Sequence, residues 1–300
     1  MTALLALLLP VICYAEGTSK EIPIKEDHEG IHAKRVHRLH FYHSSANHTM
    51  PMQYLALVPS DRMRKGWREH LLIGFYSDFE TRYMSKEVPD SRGPVWQPSA
   101  TIELYGFGLN VWSNFVLNDE PNQGEFNEVD ITSYYTAHIG NLTIHPYIIY
   151  MVFPNGDPAS LDYSAQTIVE TNLHADYRIW RFTIFTLMRA RAKGNPGAVY
   201  ANVGIGYNQC FPHDLTFLTS VLMNFGNDRY LSALYGPMDM NVDAVAFMLG
   251  LQWKAWKGFS INPHVDFVVH ANPQIRRAIR QIPDIENQMV WGGLDLAYEF

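Results

Sequence analysis

The 300-residue sequence is short of cysteine, of long hydrophobic runs and of positive charge. It has two cysteines, and because Cys13 lies in a predicted leader, only Cys210 would remain after export. This excludes an intrachain disulfide framework and a thiolate metal site. Beyond the leader no stretch of about 18 apolar residues occurs, which excludes membrane-spanning helices. The net charge of −7 gives no reason to expect a nucleic-acid partner.

The first 15 residues have the pattern of a secretory signal peptide. An apolar run covers residues 4–13. Cleavage after Ala15 would place two small residues, Cys13 and Ala15, at the −3 and −1 positions of the cleavage site. The run is too short to cross a membrane as a helix. We therefore predict three segments: a signal peptide over residues 1–15, a His-rich extension over 16–69 (a periplasmic tail or plug), and a transmembrane β-barrel over 70–300.

Apolar and aromatic residues are abundant, at 47% and 13%, and they recur in short alternating segments. From residue 70 onward the alternation has the period of two that is typical of strands. Each segment is about as long as a tilted strand that crosses a bilayer. About twelve segments are predicted, with ten or fourteen as alternatives, at residues 70–83, 95–108, 109–119, 126–140, 142–153, 165–177, 178–192, 197–210, 215–226, 244–256, 259–271 and 289–300.

The last segment is apolar on one face and ends on Phe300. An apolar strand face has to be shielded from water, and for a strand that closes a membrane barrel the acyl chains of the bilayer shield it. This ending resembles the C-terminal strand of bacterial outer-membrane β-barrels, which finish on Phe or Trp. If Phe300 lies in the periplasm, counting the strands back from the C-terminus assigns each connection to one side of the membrane, and most of the longer connections then lie on the extracellular side. The connections assigned to the periplasm are all tight and lie at residues 107–109, 140–141, 176–178, 211–214 and 257–258.

The predicted fold class is therefore all-β: a transmembrane antiparallel up-and-down β-barrel of about twelve strands with a polar N-terminal extension. The predicted location is the bacterial outer membrane. One apolar face on every strand could also build a soluble β-sandwich, which is the competing interpretation.

The first predicted hairpin carries a motif that runs Ser77-Asp78-Phe79-Glu80-Thr81-Arg82 and is followed by Gln97-Pro98-Ser99-Ala100. It resembles a class of proteobacterial outer-membrane barrels of the conserved-hypothetical kind, in which Ser-Asp-(Phe/Tyr)-x-x-Arg precedes a Gln-Pro-(Ser/Ala)-hydrophobic strand. The resemblance covers residues 70–155. It implies the barrel fold and the outer-membrane location, and it brings no catalytic residues with it.

Charged side chains are frequent on the faces predicted to point into the lumen. In a dry interior they could not stay unpaired, so they either line water or neutralise one another. The arginines could favour anions, but the carboxylates outnumber them, so the sign of any selectivity stays open. The pore-lining candidates are Asp78, Glu80, Arg82, Glu103, Glu128, Asp130, Glu170, His174, Asp176, Arg181, Arg189, Arg191, Lys254, His264, Asp266, Asp295 and Glu299.

Water-lining charges favour a narrow passive channel for small polar or charged solutes. The alternative is a closed barrel with a structural or surface-interaction role, blocked by its own side chains or by residues 16–69. A lipid-modifying barrel enzyme is the third hypothesis. His264 and Asp266 share a face, but no predicted strand carries a His-x-Ser pair, so we expect no enzyme activity and no cofactor.

The N-terminal extension is rich in histidine, and neutral imidazole is a common metal ligand. The spacing matches no fixed metal motif, and Lys34, Arg35 and Arg38 would repel a cation. A polar linker is the competing interpretation. The candidate ligands are His28, His32, His37, His40, His43 and His48.

The expected partners follow from the predicted location. They are outer-membrane lipids and lipopolysaccharide, whose phosphates Arg276, Arg277 and Arg280 could bind, and the barrel-assembly machinery, which would recognise the C-terminal strand. Nucleic acid is not expected, and the oligomeric state stays open. Aromatic residues near strand ends predict interfacial girdles. The strand parity of Trp112, Trp256 and Trp291 points them inward, where they could instead stack on sugars.

Overall fold

The computed structural model describes residues 70–85, 88–89, 91, 93–118, 124–154, 167–281 and 286–300. The predictions for the signal peptide and for the His-rich extension lie outside these residues. Among the residues described, neither helix has the length and apolar character that a membrane span requires.

Strands dominate this part of the chain, and each follows a segment whose side chains alternate in polarity. Two short helices, α1 (Asp228–Tyr235) and α2 (Pro273–Ile279), interrupt the series. The strands are β1 (Leu71–Glu80), β2 (Met84–Ser85), β3 (Val88–Pro89), β4 (Val95–Leu104), β5 (Phe107–Val116), β6 (Phe126–Tyr135), β7 (Ala137–Ile139), β8 (Leu142–Val152), β9 (Thr167–Ile179), β10 (Phe182–Lys193), β11 (Val199–Phe211), β12 (Leu215–Gly226), β13 (Asn241–Trp256), β14 (Phe259–His270) and β15 (Gln288–Glu299).

Twelve of these strands form one closed antiparallel barrel. Each pairs with its neighbours in the order β1-β4-β5-β6-β8-β9-β10-β11-β12-β13-β14-β15, and β1 pairs with β15 to close the ring. The short β7 follows β6 after an interruption at Thr136 and pairs with the first residues of β8. β2 and β3 form a separate two-stranded ladder in the connection after β1. The prediction of about twelve strands in an up-and-down barrel is confirmed.

The two faces of the barrel differ in polarity, as the alternation predicts. Outward side chains are apolar and exposed, including Phe75, Ile131, Ile184, Leu249 and Val265. An exposed apolar belt on this scale needs a nonpolar surrounding. Acyl chains supply it for a closed barrel, which leaves no edge and so satisfies every ladder hydrogen bond internally. The soluble sandwich is therefore wrong, because the sheet closes on itself with its apolar face outside.

The connections at one end of the barrel, the tight-turn end, are short. Glycines with positive φ occupy three of them, at Gly106, Gly140 and Gly258, where an L side chain would be strained. The predicted turn at residues 107–109 is wrong, because these residues belong to β5 and the turn lies at 105–106. The predicted turn at residues 176–178 is also wrong, because β9 continues to Ile179 and the chain turns at 180–181. Trp180 takes the left-handed conformation there, with φ 55°. A turn without glycine or asparagine carries no composition signal, which explains the shift.

The other end, the loop end, carries the helices. Each is preceded by an N-cap asparagine whose side chain accepts a backbone hydrogen bond. Asn227 accepts from Tyr230 N at 2.9 Å, and Asn272 accepts from Gln274 N at 2.7 Å. Pro273 follows directly at the first helical position. The helices pack together with the ends of neighbouring strands in a cluster of buried apolar side chains that consists of Ala198, Tyr200, Tyr230, Leu231, Tyr235, Ile275 and Ile279.

The outward belt makes a stability prediction for Leu249→Arg. Leu249 is 54% exposed near the middle of β13, so the arginine would lie among acyl chains. The free energy of unfolding in lipid vesicles should fall by about 2–4 kcal/mol, the cost of a cation near the bilayer midplane. Guanidinium unfolding of the refolded protein measures it.

Met240→Arg is the control, because Met240 is 74% exposed just before β13 begins. There the cost should be about 0–1 kcal/mol, as expected near the interface. Equal destabilisation by the two substitutions would contradict a lipid-facing belt.

Candidate functional site

The candidate site is the inner face of the barrel. Along each strand the inward positions alternate with the apolar outward ones, and many hold polar or charged side chains that are buried in the structure. Every barrel strand contributes at least one such side chain, as in the series Asp78, Gln97, Asn110, Glu128, His145, Glu170, Arg189, Asn202, Ser220, Gln252, His264 and Asp295.

The structure distributes the predicted pore-lining residues over three environments. Most of the charged candidates on strands are buried: Asp78, Glu80, Glu128, Asp130, Glu170, His174, Asp176, Arg189, His264, Asp266 and Asp295. Half-buried side chains at or near strand ends are Arg82, Glu103, Arg191, Lys254 and Glu299. Arg181 is different, because it is exposed in the β9–β10 turn, where it lies against the Trp180 ring and donates to Gln209.

A basic group lies on the inner face of β9 and β10. Arg191 and Glu170 are paired across the two strands, and Arg191 Nε donates to Glu170 Oε1 at 3.2 Å. Arg189 Nη1 lies 4.0 Å from the other oxygen of the same carboxylate. Arg189 is 1% exposed, and its guanidinium lies over the Tyr200 ring with 6.0 Å between Cζ and the ring centroid. Two guanidinium groups thus share one carboxylate, which leaves this group of three side chains with an excess of positive charge.

An acidic group lies across the barrel on β1, β14 and β15. Its centre is His264, whose Nδ1 is 2.7 Å from Asp266 Oδ2. His264 Nε2 is 3.1 Å from Glu80 Oε1 and 3.3 Å from Asp295 Oδ1. Asp78 is directly opposite Asp295 in the β1–β15 pairing. In the strand order β15 is six places from β9, so the acidic and basic groups occupy opposite walls.

A third group joins α1 to the barrel wall. Tyr235 Oη donates to Asp243 Oδ1 at 2.9 Å, and His270 Nδ1 lies 3.3 Å from the same oxygen. The side chains of Asp243 and His270 are both fully buried. This contact fixes the end of α1 against β13 and β14, so the helix is held at the loop end of the barrel.

A network of amides on β4, β5 and β6 was not predicted from the sequence. Gln97 Nε2 donates to Asn114 Oδ1 at 2.9 Å, and Asn114 Nδ2 donates to Asn127 Oδ1 at 2.6 Å. Asn110 Nδ2 donates to Thr101 Oγ1 at 2.7 Å on the same wall. Gln97, Asn110 and Asn114 share the inward parity of the charged candidates, so parity was the signal that could have identified them. Asn127 does not share it, because the next residue, Glu128, is the inward one on β6.

Apolar side chains also reach the inner face. Met84, which follows β1, belongs to a buried cluster with residues of β10 to β15, so the connection after β1 folds inward. On β10 the Phe185 ring occupies the space over Gly204, where a Cβ would overlap with it. The members of this cluster, here called the apolar band, are Met84, Phe185, Leu222, Ala244, Ala246, Val268, Met289 and Trp291. The band narrows the interior of the barrel.

The inward parity predicted for three tryptophans is correct for two of them. Trp112 and Trp291 are buried on the inner face, but Trp256 is 63% exposed. The register of β13 on β14 shifts between Trp253 and Trp256. A bulge of this kind reverses the alternation beyond it, which moves Trp256 out of the interior.

No protein-family model matches the chain, and no curated protein matches it. Several solved structures are similar to it. A KdgM porin in complex with disordered oligogalacturonate is 12% identical, with a TM-score of 0.45 over 76% of this chain and 99% of that chain. A NanC porin is 10% identical, with a TM-score of 0.43 over 76% and 98%. An outer-membrane channel from Pseudomonas putida F1 is 8% identical, with a TM-score of 0.44 over 77% and 96%.

The basic group predicts the effect of Glu170→Gln. This substitution removes the carboxylate that Arg189 and Arg191 share, and it leaves a buried guanidinium without its counter-charge. Breaking a buried ion pair in this way costs about 3–5 kcal/mol. Chemical unfolding of the refolded protein should show a loss in that range.

Glu286→Gln serves as the control, because Glu286 is exposed just before β15. It should change the free energy of unfolding by less than about 0.5 kcal/mol. If Glu170→Gln is as mild as Glu286→Gln, the ion-paired group does not stabilise the barrel.

Proposed function

We propose that the protein is an outer-membrane β-barrel that acts as a narrow passive channel for small polar or charged solutes. The observation that carries the proposal is the inner face, where every one of the twelve barrel strands places a polar side chain. A barrel built only to be packed shut needs no charged groups on its walls, since buried charges cost free energy that apolar side chains avoid.

Two features support a narrow passage. Twelve strands enclose more space than the side-chain-filled eight-strand barrels and less than the general porins of sixteen or more. The apolar band then reduces the remaining cross-section, because Met84 enters from the connection after β1. Small solutes are therefore the class that fits.

The opposite signs of the basic and acidic groups bear on selectivity. Arg189 and Arg191 lie on one side, and the carboxylates around His264 lie on the other. A solute that carries both signs, or a strong dipole, would be oriented between them, since charges that line a pore act at close range. The sign of the preferred ion stays open, because carboxylates outnumber arginines among the buried charged side chains.

A closed barrel with a surface-interaction role is the second candidate. It is favoured by the packing at the loop end, where α1 and α2 form one apolar cluster with strand ends. In this case the exposed arginines Arg276 and Arg277 of α2 would meet the phosphates of lipopolysaccharide. Recognition of β15 by the barrel-assembly machinery is compatible with both candidates.

Planar-bilayer recording separates the two candidates. Full-length protein, refolded and free of other porins, should produce discrete conductance steps that do not require a ligand. Protein that is folded by heat-modifiability gel and inserted in the bilayer, yet silent, would contradict the channel and favour the closed barrel.

Phe185→Ala tests whether the apolar band limits the passage. Removing the ring opens space on the inner face of β10, so the single-channel conductance should rise by about twofold, because conductance follows pore diameter. Ile184→Ala is the matched control, since Ile184 is the next residue on the same strand and faces outward. A similar conductance for both variants would place the constriction elsewhere.

A further inference from the structure

Five side chains converge on the inner face where the first and last strands of the barrel meet. Asp78 and Glu80 lie on β1, Asp295 lies on β15, and His264 and Asp266 lie on β14. We infer that Glu80, His264 and Asp295 form a binding site for a divalent transition-metal ion of the Zn²⁺ type. The inference is independent of the proposed channel, because such an ion would join the strands that close the barrel.

The spacing of the donor atoms fits a metal ion. His264 Nε2 is 3.1 Å from Glu80 Oε1 and 3.3 Å from Asp295 Oδ1, and the donor atoms of all three residues lie within 4.8 Å of one another. Ligands about 2.0–2.2 Å from a tetrahedral Zn²⁺ are separated by roughly 3.3–3.6 Å. Modest side-chain adjustment therefore brings the three donors into the coordination sphere, with a fourth position left for water.

The hydrogen bond of His264 orients it as a ligand. Its Nδ1 is 2.7 Å from Asp266 Oδ2. With a metal ion in place of the Nε2 proton, Nδ1–H would donate to this carboxylate and Nε2 would coordinate the ion. A carboxylate behind a ligating imidazole is the usual outer-shell partner in zinc proteins. Asp266 is thus a positioning residue, and Glu80, His264 and Asp295 are the ligands.

The charge of the group also favours a cation. Four carboxylates surround one imidazole, so even a protonated His264 leaves an excess of negative charge. Asp78 and Asp295 are directly opposite one another. Five residues earlier in the same register, Ile73 and Phe300 exchange both backbone hydrogen bonds, and because such pairs alternate along an antiparallel ladder, Asp78 and Asp295 occupy a non-hydrogen-bonded position. Like charges at such positions repel at short range.

The carboxylates that point into the site have oxygens without hydrogen-bond partners. Asp295 is 2% exposed, and neither of its carboxylate oxygens accepts a hydrogen bond among the residues described. Glu80 Oε2 is in the same position. A buried carboxylate oxygen that accepts no hydrogen bond is costly, and coordination to a metal ion is one arrangement that satisfies it.

The backbone leaves room for the group at Gly293. This glycine is paired with Glu80 on one side and with His264 on the other. A Cβ at Gly293 would overlap with both His264 Nε2 and the Glu80 carboxylate. The absent side chain therefore lets the two ligands approach each other over the strand that lies between them.

The donor set selects the class of metal. One imidazole and two carboxylates form a mixed N/O site, which suits Zn²⁺ and its first-row neighbours better than Ca²⁺, which prefers six or more oxygens. An ion held by β1, β14 and β15 would fasten the closure of the barrel and stabilise it by mass action.

Calorimetric titration of Zn²⁺ into the untagged full-length protein, refolded and stripped of metal, tests the inference. In every version the six histidines at positions 28, 32, 37, 40, 43 and 48 are replaced by Asn, because that tract could bind metal itself. The parent should bind one equivalent of Zn²⁺, and Co²⁺ in its place should show the visible absorption of a tetrahedral N/O site. Zinc should also raise the temperature at which the folded band on a heat-modifiability gel converts to the unfolded one.

His264→Gln should abolish binding, and Asp266→Asn should weaken it by about 10- to 100-fold, as outer-shell changes do. His270→Gln is the matched control, because His270 lies on the same strand as His264 and is also a buried histidine in contact with a carboxylate, that of Asp243. It should bind as the parent does. If His264→Gln does not fold, the near-isosteric Glu80→Gln takes its place. No binding by the parent, or equal binding by the His264 and His270 variants, would overturn the site.

Discussion

Closure of the sheet by β1 and β15 is the constraint on which the rest of the structure depends. Ile73 and Phe300 exchange two backbone hydrogen bonds of 3.0 Å at the start of this pairing, and the register continues to Glu80 opposite Gly293. In acyl chains no water is present to satisfy a free strand edge, and each unpaired group costs several kcal/mol. A ring of twelve strands with one apolar face can therefore be stable in lipid only if this last pairing forms.

Closure also determines what the interior can do. It places the acidic group, built from β1, β14 and β15, across from the basic group of Arg189, Arg191 and Glu170. The same pairing puts Asp78 beside Asp295, which is unfavourable without a cation. Permeation and metal binding are separate proposals, but both arise from one geometric fact, namely that residues far apart in sequence become neighbours when the ring closes.

Much of the fold was predictable from the period of two in the sequence, and the limits of that prediction have physical causes. Alternation identified all twelve barrel strands and the buried parity of Asp130 and Glu170, because only one face of each strand meets lipid. It failed for Trp256, since a bulge shifts the register without a mark in composition. The helices were missed although Asn272-Pro273 is a helix-start signal. The cluster around His264 depends on the closing register, which no local pattern contains.

The most direct test of closure is a disulfide between β1 and β15. Tyr76 and Ala297 face each other on the inner wall at a non-hydrogen-bonded position, where Cα atoms are about 4.5 Å apart and within disulfide range. With Cys13 and Cys210 replaced by serine, Tyr76→Cys with Ala297→Cys should oxidise to an intramolecular crosslink in the folded, membrane-inserted protein, visible as a mobility shift that reductant reverses. Tyr76→Cys with Ala246→Cys, three strands apart, should not crosslink. Failure of the first pair, or equal crosslinking of both, would contradict a barrel closed in this register.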